Sequence, residues 1–185
     1  MNIQGHKISS QLPYFTVDIS KYQLELDTAR DAIFELQQSH PHTESNVKNY
    51  YTSPYDSHLK TQKLVPLNQL VLRVASFICQ NALGQKLDFK IVNCWGSVYK
   101  PGDYTVIHNH WPAFFSSIVY LDADDQSSPL ILDNQICVSP KKSHLVLFPG
   151  WLDHEVPPTR SQRNIIAYNL TVDFQFNLTT IGQDS

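Results

Sequence analysis

Cysteine is scarce: Cys79, Cys94 and Cys137 are the three in 185 residues, scattered and odd in number. That argues against a disulfide framework and predicts buried free thiols in a reducing cytosol. No apolar run approaches the roughly 20 residues of a membrane span. The start, Met1–Lys7, also lacks the apolar stretch of a signal peptide, so a cytoplasmic protein is expected. Positive charge is sparse too, with 14 Lys and Arg against 17 Asp and Glu, a formal net charge of −3 and no basic cluster. Nucleic acid and anionic membrane are therefore not expected partners. No internal repeat is present. What remains, 42% hydrophobic and 17% charged, describes an ordinary globular chain. Its length suits one domain, 1–185, with a substantial core.

A helical front of about 1–84 precedes a strand-rich part of about 88–176. Ser20-Lys21-Tyr22-Gln23 reads as a capping box. Leu26, Ala29, Ile33 and Leu36 follow at helical spacing, predicting a helix over 21–38. Residues 40–63 are polar, hold Pro41 and Pro54, and read as a long ordered loop anchored by Tyr50, Tyr51 and Tyr55. A loop of that length is usually functional, here as a lid. A second helix should open at Pro66, bury Leu67, Leu70, Val71, Val74, Phe77 and Ile78, and stop at Gly84.

From Asp88 the period becomes two. Phe89, Ile91, Asn93, Trp95, Ser97 and Tyr99 would share one strand face, opposite Val92, Cys94 and Val98. Further strands are predicted over 104–109, 114–121, 130–133, 136–138, 144–148 and 164–174, separated by Pro- and Gly-bearing turns. The expected fold is mostly β with flanking α-helices, a jelly roll or double-stranded β-helix.

The chemistry concentrates in His108-Asn109-His110, in His154 and in Arg163. Imidazoles at i and i+2 of a strand project from one face. With a third histidine and an arginine downstream, this is a layout for one open metal ion and a clamp for an anionic co-substrate, consistent with oxygen chemistry on iron. The competing reading makes His108 and His154 satisfied structural histidines, Arg163 a surface ion-pair residue and Tyr99 a core tyrosine. His110 is either a third ligand or a neighbour of the metal. Trp95, Trp111 and Trp151 lie close enough in sequence to be candidate substrate-pocket walls, or plain core and rim aromatics. His6, His40, His42, His58 and His144 carry no spacing argument.

These residues also carry a family resemblance. The run from Trp95 through Tyr99-Lys100-Pro101-Gly102-Asp103-Tyr104 to His108-Asn109-His110 resembles the first metal motif of iron(II)/2-oxoglutarate-dependent oxygenases. It is most similar to an oxygenase group near the prolyl hydroxylases. Ser116–Leu121 resembles the strand that follows, Leu145–Val156 the strand with the distal histidine, and Arg163–Asn169 the arginine strand. The resemblance implies Fe(II) held by His108, His110 and His154, with 2-oxoglutarate and O2 in the open positions and ascorbate as a reductant. It further implies Arg163 on the distal carboxylate of 2-oxoglutarate, with Tyr99 donating its hydroxyl there. The implied reaction hydroxylates an amino-acid, peptide or protein side chain and releases succinate and CO2. The departure is His110, where most members have Asp or Glu; neither Asp103 nor Asp153 is placed to replace it.

Two other classes compete. In a cupin-type three-histidine dioxygenase, Gly102 and the His108-x-His110 pair would form the first motif, but Trp111–Ser117 lacks the expected Glu. A non-catalytic jelly-roll binding domain is the other, since fold alone never establishes activity.

Overall fold

Eleven strands pair into two antiparallel sheets in the computed structural model, which describes residues 13–174. In chain order the elements are β1 (Phe15–Asp18), α1 (Gln23–Ser39), β2 (Val47–Lys48), β3 (Tyr51–Thr52), α2 (Ser57–Lys60) and α3 (Val65–Ala82). Then come β4 (Phe89–Tyr99), β5 (Tyr104–His108), β6 (Phe115–Asp122), β7 (Leu130–Leu132), β8 (Ile136–Val138), β9 (His144–Pro149), β10 (His154–Val156) and β11 (Arg163–Val172). The larger sheet runs β1-β9-β6-β11-β4-β3 and the smaller β2-β5-β10-β7-β8. This is the mostly-β double-stranded β-helix that the strand spacing predicts, with helices flanking it. His6 and residues 175–176 of the predicted strand-rich part lie outside the described residues.

The larger sheet is buried on both faces. Leu26, Ala29, Ile33 and Leu36 of α1, with Leu67, Leu70 and Val71 of α3, pack on one face against Val119, Leu147, Ile166 and Leu170. Between the sheets, Trp95, Tyr99, Tyr120, Phe148 and Ile165 meet Leu130, Leu132 and Val156. Contact with α1 is close at Gly96, where an added Cβ would stand 2.4 Å from Ile33 Cδ1.

Several sequence expectations are corrected. The capping box does not form: residues 20–22 make a 3-10 turn, and the Ser20 N–H donates instead to Asp18 Oδ1 at 2.8 Å. The carboxylate ending β1 is the stronger acceptor. Phe77, assigned to the buried stripe of α3, is exposed, as is Cys137; Cys79 and Cys94 are buried free thiols. Residues 40–63 hold β2, β3 and α2, and both short strands extend the sheets, β2 beside β5 and β3 beside β4. Tyr51 is buried there while Tyr50 is exposed.

The single-face pattern of β4 also fails. The β4–β11 register shifts so that Asn169 faces Asn93 while Leu170 faces Ile91, leaving Val92 as an extra residue. Face assignment inverts across that bulge. Phe89 joins Cys94 and Val98 on the helix side, and Trp95 and Tyr99 turn between the sheets.

Candidate metal centre

His108 ends β5 and His154 begins β10, and the two stand directly opposite each other in the ladder. Their ring centroids are 4.3 Å apart. His110 lies beyond the strand, so the expected shared strand face is replaced by a turn. In that turn the His110 N–H donates to Gly150 O at 2.7 Å and the Ala113 N–H donates to His110 O at 2.8 Å. The turn brings the His110 ring to centroid distances of 4.8 Å from His108 and 5.0 Å from His154. One ligand atom from each histidine lies within 4.8 Å of the others, close enough to converge on one ion with small side-chain movements.

Backbone carbonyls orient two of the rings. His108 Nδ1 is 2.7 Å from Val106 O and His154 Nδ1 is 3.0 Å from Leu152 O. A carbonyl only accepts, so Nδ1 carries the proton and each Nε2 keeps its lone pair for a metal. Burial, the largest cause at each ring, depresses all three pKa values: His110 to about 3, His154 to about 4, and His108 downward. Neighbouring imidazoles add to it at His110 and His154. Neutral imidazole is the ligating form.

No carboxylate joins this cluster among the described residues. Asp153 Oδ1 accepts from Asn109 Nδ2 at 2.7 Å, and Asp103 Oδ2 accepts from the N–H groups of Tyr50 and Lys100, each at 2.7 Å. Both acids hold turns.

Arg163 is 0% exposed. It starts β11 directly opposite Tyr99 of β4, its guanidinium carbon 4.6 Å from that ring and 5.5 Å from the Tyr120 ring. Nη1 donates to Ser128 O at 2.9 Å, while Nε and Nη2 are buried without partners among the described residues. A buried guanidinium with two idle donors and no carboxylate is costly unless an anion completes it. It lines one cavity with His108, His110, His154, Tyr99, Thr105 and Ser117. The free fork fits a carboxylate, and the three imidazoles fit a divalent first-row cation.

The remaining predicted residues divide. Tyr99 is in the cavity, its hydroxyl 2.8 Å from Thr105 Oγ1, and burial raises its pKa. Trp95 also lines the cavity, its ring centroid 5.5 Å from that of His110. Trp111 and Trp151 do not. Trp111 is 73% exposed on an adjoining hollow, and Trp151 packs edge-on to Phe114. Residues 40–63 contribute Ser45, Asn46, Val47 and Tyr55 to a second hollow that reaches His108 and His110.

Sequence reasoning missed Ser117, Tyr120 and Asn169. The Ser117 and Tyr120 hydroxyls are buried without partners among the described residues, and Asn169 Nδ2 lies 3.3 Å from His110 Nδ1. Their one signal is polarity inside otherwise apolar strands.

No protein-family model matches the chain, and no curated protein matches it. Solved structures match by fold. A Pseudomonas putida prolyl-4-hydroxylase is 13% identical with a TM-score of 0.66, over 86% of this chain and 93% of that one. A Trichoplax adhaerens prolyl hydroxylase, bound to a hypoxia inducible factor peptide, is 18% identical with a TM-score of 0.62, over 86% and 82%. HygX from Streptomyces hygroscopicus, with nickel and 2-oxoglutarate bound, is 10% identical with a TM-score of 0.65, over 88% and 84%. The fold is thus the one these oxygenases use.

Proposed function

We propose that the protein is an iron(II)/2-oxoglutarate-dependent dioxygenase that hydroxylates an amino-acid, peptide or protein side chain, with residues 1–185 acting as one oxygenase domain. The observation that carries this reading is Arg163, a fully buried cation with two idle donors in the same cavity as three converging imidazoles. His108, His110 and His154 would hold Fe(II). Arg163 would grip the distal carboxylate of 2-oxoglutarate through its planar fork, and Tyr99 would offer its hydroxyl there once turned from Thr105. Iron with 2-oxoglutarate and O2 supplies oxidative decarboxylation, which places one oxygen atom in succinate and the other in the substrate and releases CO2. The chain's own share is to orient these groups and exclude water. The nickel and 2-oxoglutarate bound in HygX support a divalent metal together with 2-oxoglutarate here.

The substrate side is neutral. The hollow beside His108 and His110 is walled by Ser45, Asn46, Asn93, Asn169, Tyr55 and Trp95. Amides and aromatic rings match a peptide group and an uncharged side chain. They offer no counter-charge to the ammonium or carboxylate of a free amino acid, so a peptide or protein substrate is favoured. The peptide bound by the Trichoplax enzyme is in keeping with this. Free thiols and Fe(II) suit a reducing cytoplasm.

The all-imidazole donor set favours one second reading, a three-histidine dioxygenase that needs no 2-oxoglutarate. The deciding experiment incubates protein, Fe(II), ascorbate and 2-oxoglutarate, measures succinate, and titrates 2-oxoglutarate calorimetrically onto the metal-loaded protein. Slow succinate release and saturable binding, both abolished in His154→Ala, are expected. Absence of 2-oxoglutarate binding overturns the proposal.

A further inference from the structure

His110 differs from the other two histidines in what holds its ring. His108 and His154 each present Nδ1 to a backbone carbonyl, Val106 O at 2.7 Å and Leu152 O at 3.0 Å. Those partners cannot reverse, so both rings stay protonated at Nδ1. His110 Nδ1 instead faces a side-chain amide, Asn169 Nδ2 at 3.3 Å. An amide nitrogen donates, so in this arrangement His110 Nδ1 accepts and the ring proton sits on Nε2. With the proton there, Nε2 has no lone pair for a cation.

An amide can turn over about its last torsion without changing shape. Asn169 would then offer Oδ1 to His110, which takes its proton to Nδ1 and frees Nε2. The other end of the amide must tolerate the reversal, and it does so because it meets a hydroxyl. Ser116 Oγ donates to Asn169 Oδ1 at 3.1 Å. After the reversal the same oxygen can accept from Nδ2. Ser116 and Asn169 are direct partners across β6 and β11 and both are buried, so this contact is set by the sheet and shielded from water.

We propose that the Asn169 amide is a two-position switch, backed by Ser116, that decides whether His110 is a metal ligand. In one position the centre offers two imidazoles; in the other it offers three. Asn169 is thus a positioning residue acting through His110. The inference rests on the reading of His108, His110 and His154 as a metal centre.

The test uses 15N-histidine-labelled protein, long-range ring 1H–15N spectra and Zn(II) as the probe. In metal-free wild type, His108 and His154 should be Nδ1–H and His110 Nε2–H. On Zn(II) addition His110 alone should change tautomer. Asn169→Asp is isosteric and accepts only, so metal-free His110 should already be Nδ1–H, with Zn(II) bound about tenfold tighter. Asn169→Leu should leave Zn(II) on His108 and His154 alone, with affinity about tenfold or more weaker. Unaltered His110 tautomer in Asn169→Asp, or full three-histidine ligation in Asn169→Leu, overturns the switch. Failure of wild type to bind Zn(II) overturns the metal centre instead, while the metal-free tautomers of wild type and Asn169→Asp still decide the role of the amide.

Discussion

Asp153 Oδ1 accepts a 2.7 Å hydrogen bond from Asn109 Nδ2, tying the residue before His154 to the residue between His108 and His110. The same carboxylate is the acidic group whose charge acts on both His108 and His154. Asp153→Ala removes the tie and the charge together, so divalent metal affinity should fall roughly tenfold with the fold intact. Asp153→Asn keeps an acceptor and should lose less. Metal titration of both variants, with circular dichroism as control, measures this. Unchanged affinity in Asp153→Ala would mean that the His110–Gly150 hydrogen bond holds the turn alone.

Arg163 separates binding from stability. Its guanidinium is fully buried without a carboxylate partner among the described residues. Even buried ion pairs are commonly replaced by apolar side chains of similar volume at no cost or with a gain of about 1–4 kcal/mol, and an unpaired cation gives up less attraction still. Arg163→Met should therefore unfold no earlier than wild type in denaturant while losing 2-oxoglutarate binding. Arg163→Lys keeps the charge but not the fork, and should weaken that binding at least tenfold with metal binding preserved. A large destabilisation of Arg163→Met would make the cation structural.

Most of this was legible where chemistry and periodicity coincide. Strands β5 to β9 and β11 lie within two residues of the predicted ranges, whereas the three-residue β10 was not among them. The histidines and Arg163 announce themselves by type. The β4 bulge was not legible: period two looks identical on either side of Val92, and only the pairing with β11 shows the slip. Nor was the role of β2 and β3, two residues each, whose pairing is set by the sheets they join. Ser117 and Asn169 sit in strands buried on both faces, where inward and outward positions do not alternate in polarity. The sequence left the tryptophans unsorted because nearness along the chain says nothing of side: Trp95 points between the sheets, while Trp111 and Trp151 stay at the surface.

Gly150 is a position where backbone packing and the placement of His110 meet. Its carbonyl accepts the His110 N–H, its own N–H donates to Phe114 O, and an added Cβ would stand 2.3 Å from Ala113 O. Backbone cannot yield there without separating the end of β9 from the His110 turn. Gly150→Ala should cost about 1–3 kcal/mol of stability and weaken metal binding as well. Denaturant midpoints and metal titration test both effects. A variant that loses stability but binds metal normally would show that the turn moves as a rigid unit.

Acid should destabilise the metal-free protein through its buried imidazoles. Folded pKa values are depressed to about 3 at His110 and about 4 at His154, and lowered at His108, against an ordinary 6.5. Below pH 6.5 the unfolded chain takes up protons that the folded chain refuses, so stability falls as pH falls. The loss continues until the folded values are reached, near pH 4 for His154 and pH 3 for His110. Each such imidazole contributes about 1.4 kcal/mol per pH unit within its window. His58, also depressed by burial, adds in the same direction. Asp18, Asp122 and Asp124 have lowered pKa values and act as pH falls through their ordinary 3.8, starting about one pH unit above it. The interval from pH 6.5 to about pH 5 therefore isolates the histidines. Urea unfolding of chelator-treated protein at pH 7.5, 6, 5 and 4.5 should show a steep decline, shallower in His110→Gln by one imidazole's share. A flat profile would mean that the three rings are hydrated in the folded protein, contrary to their burial.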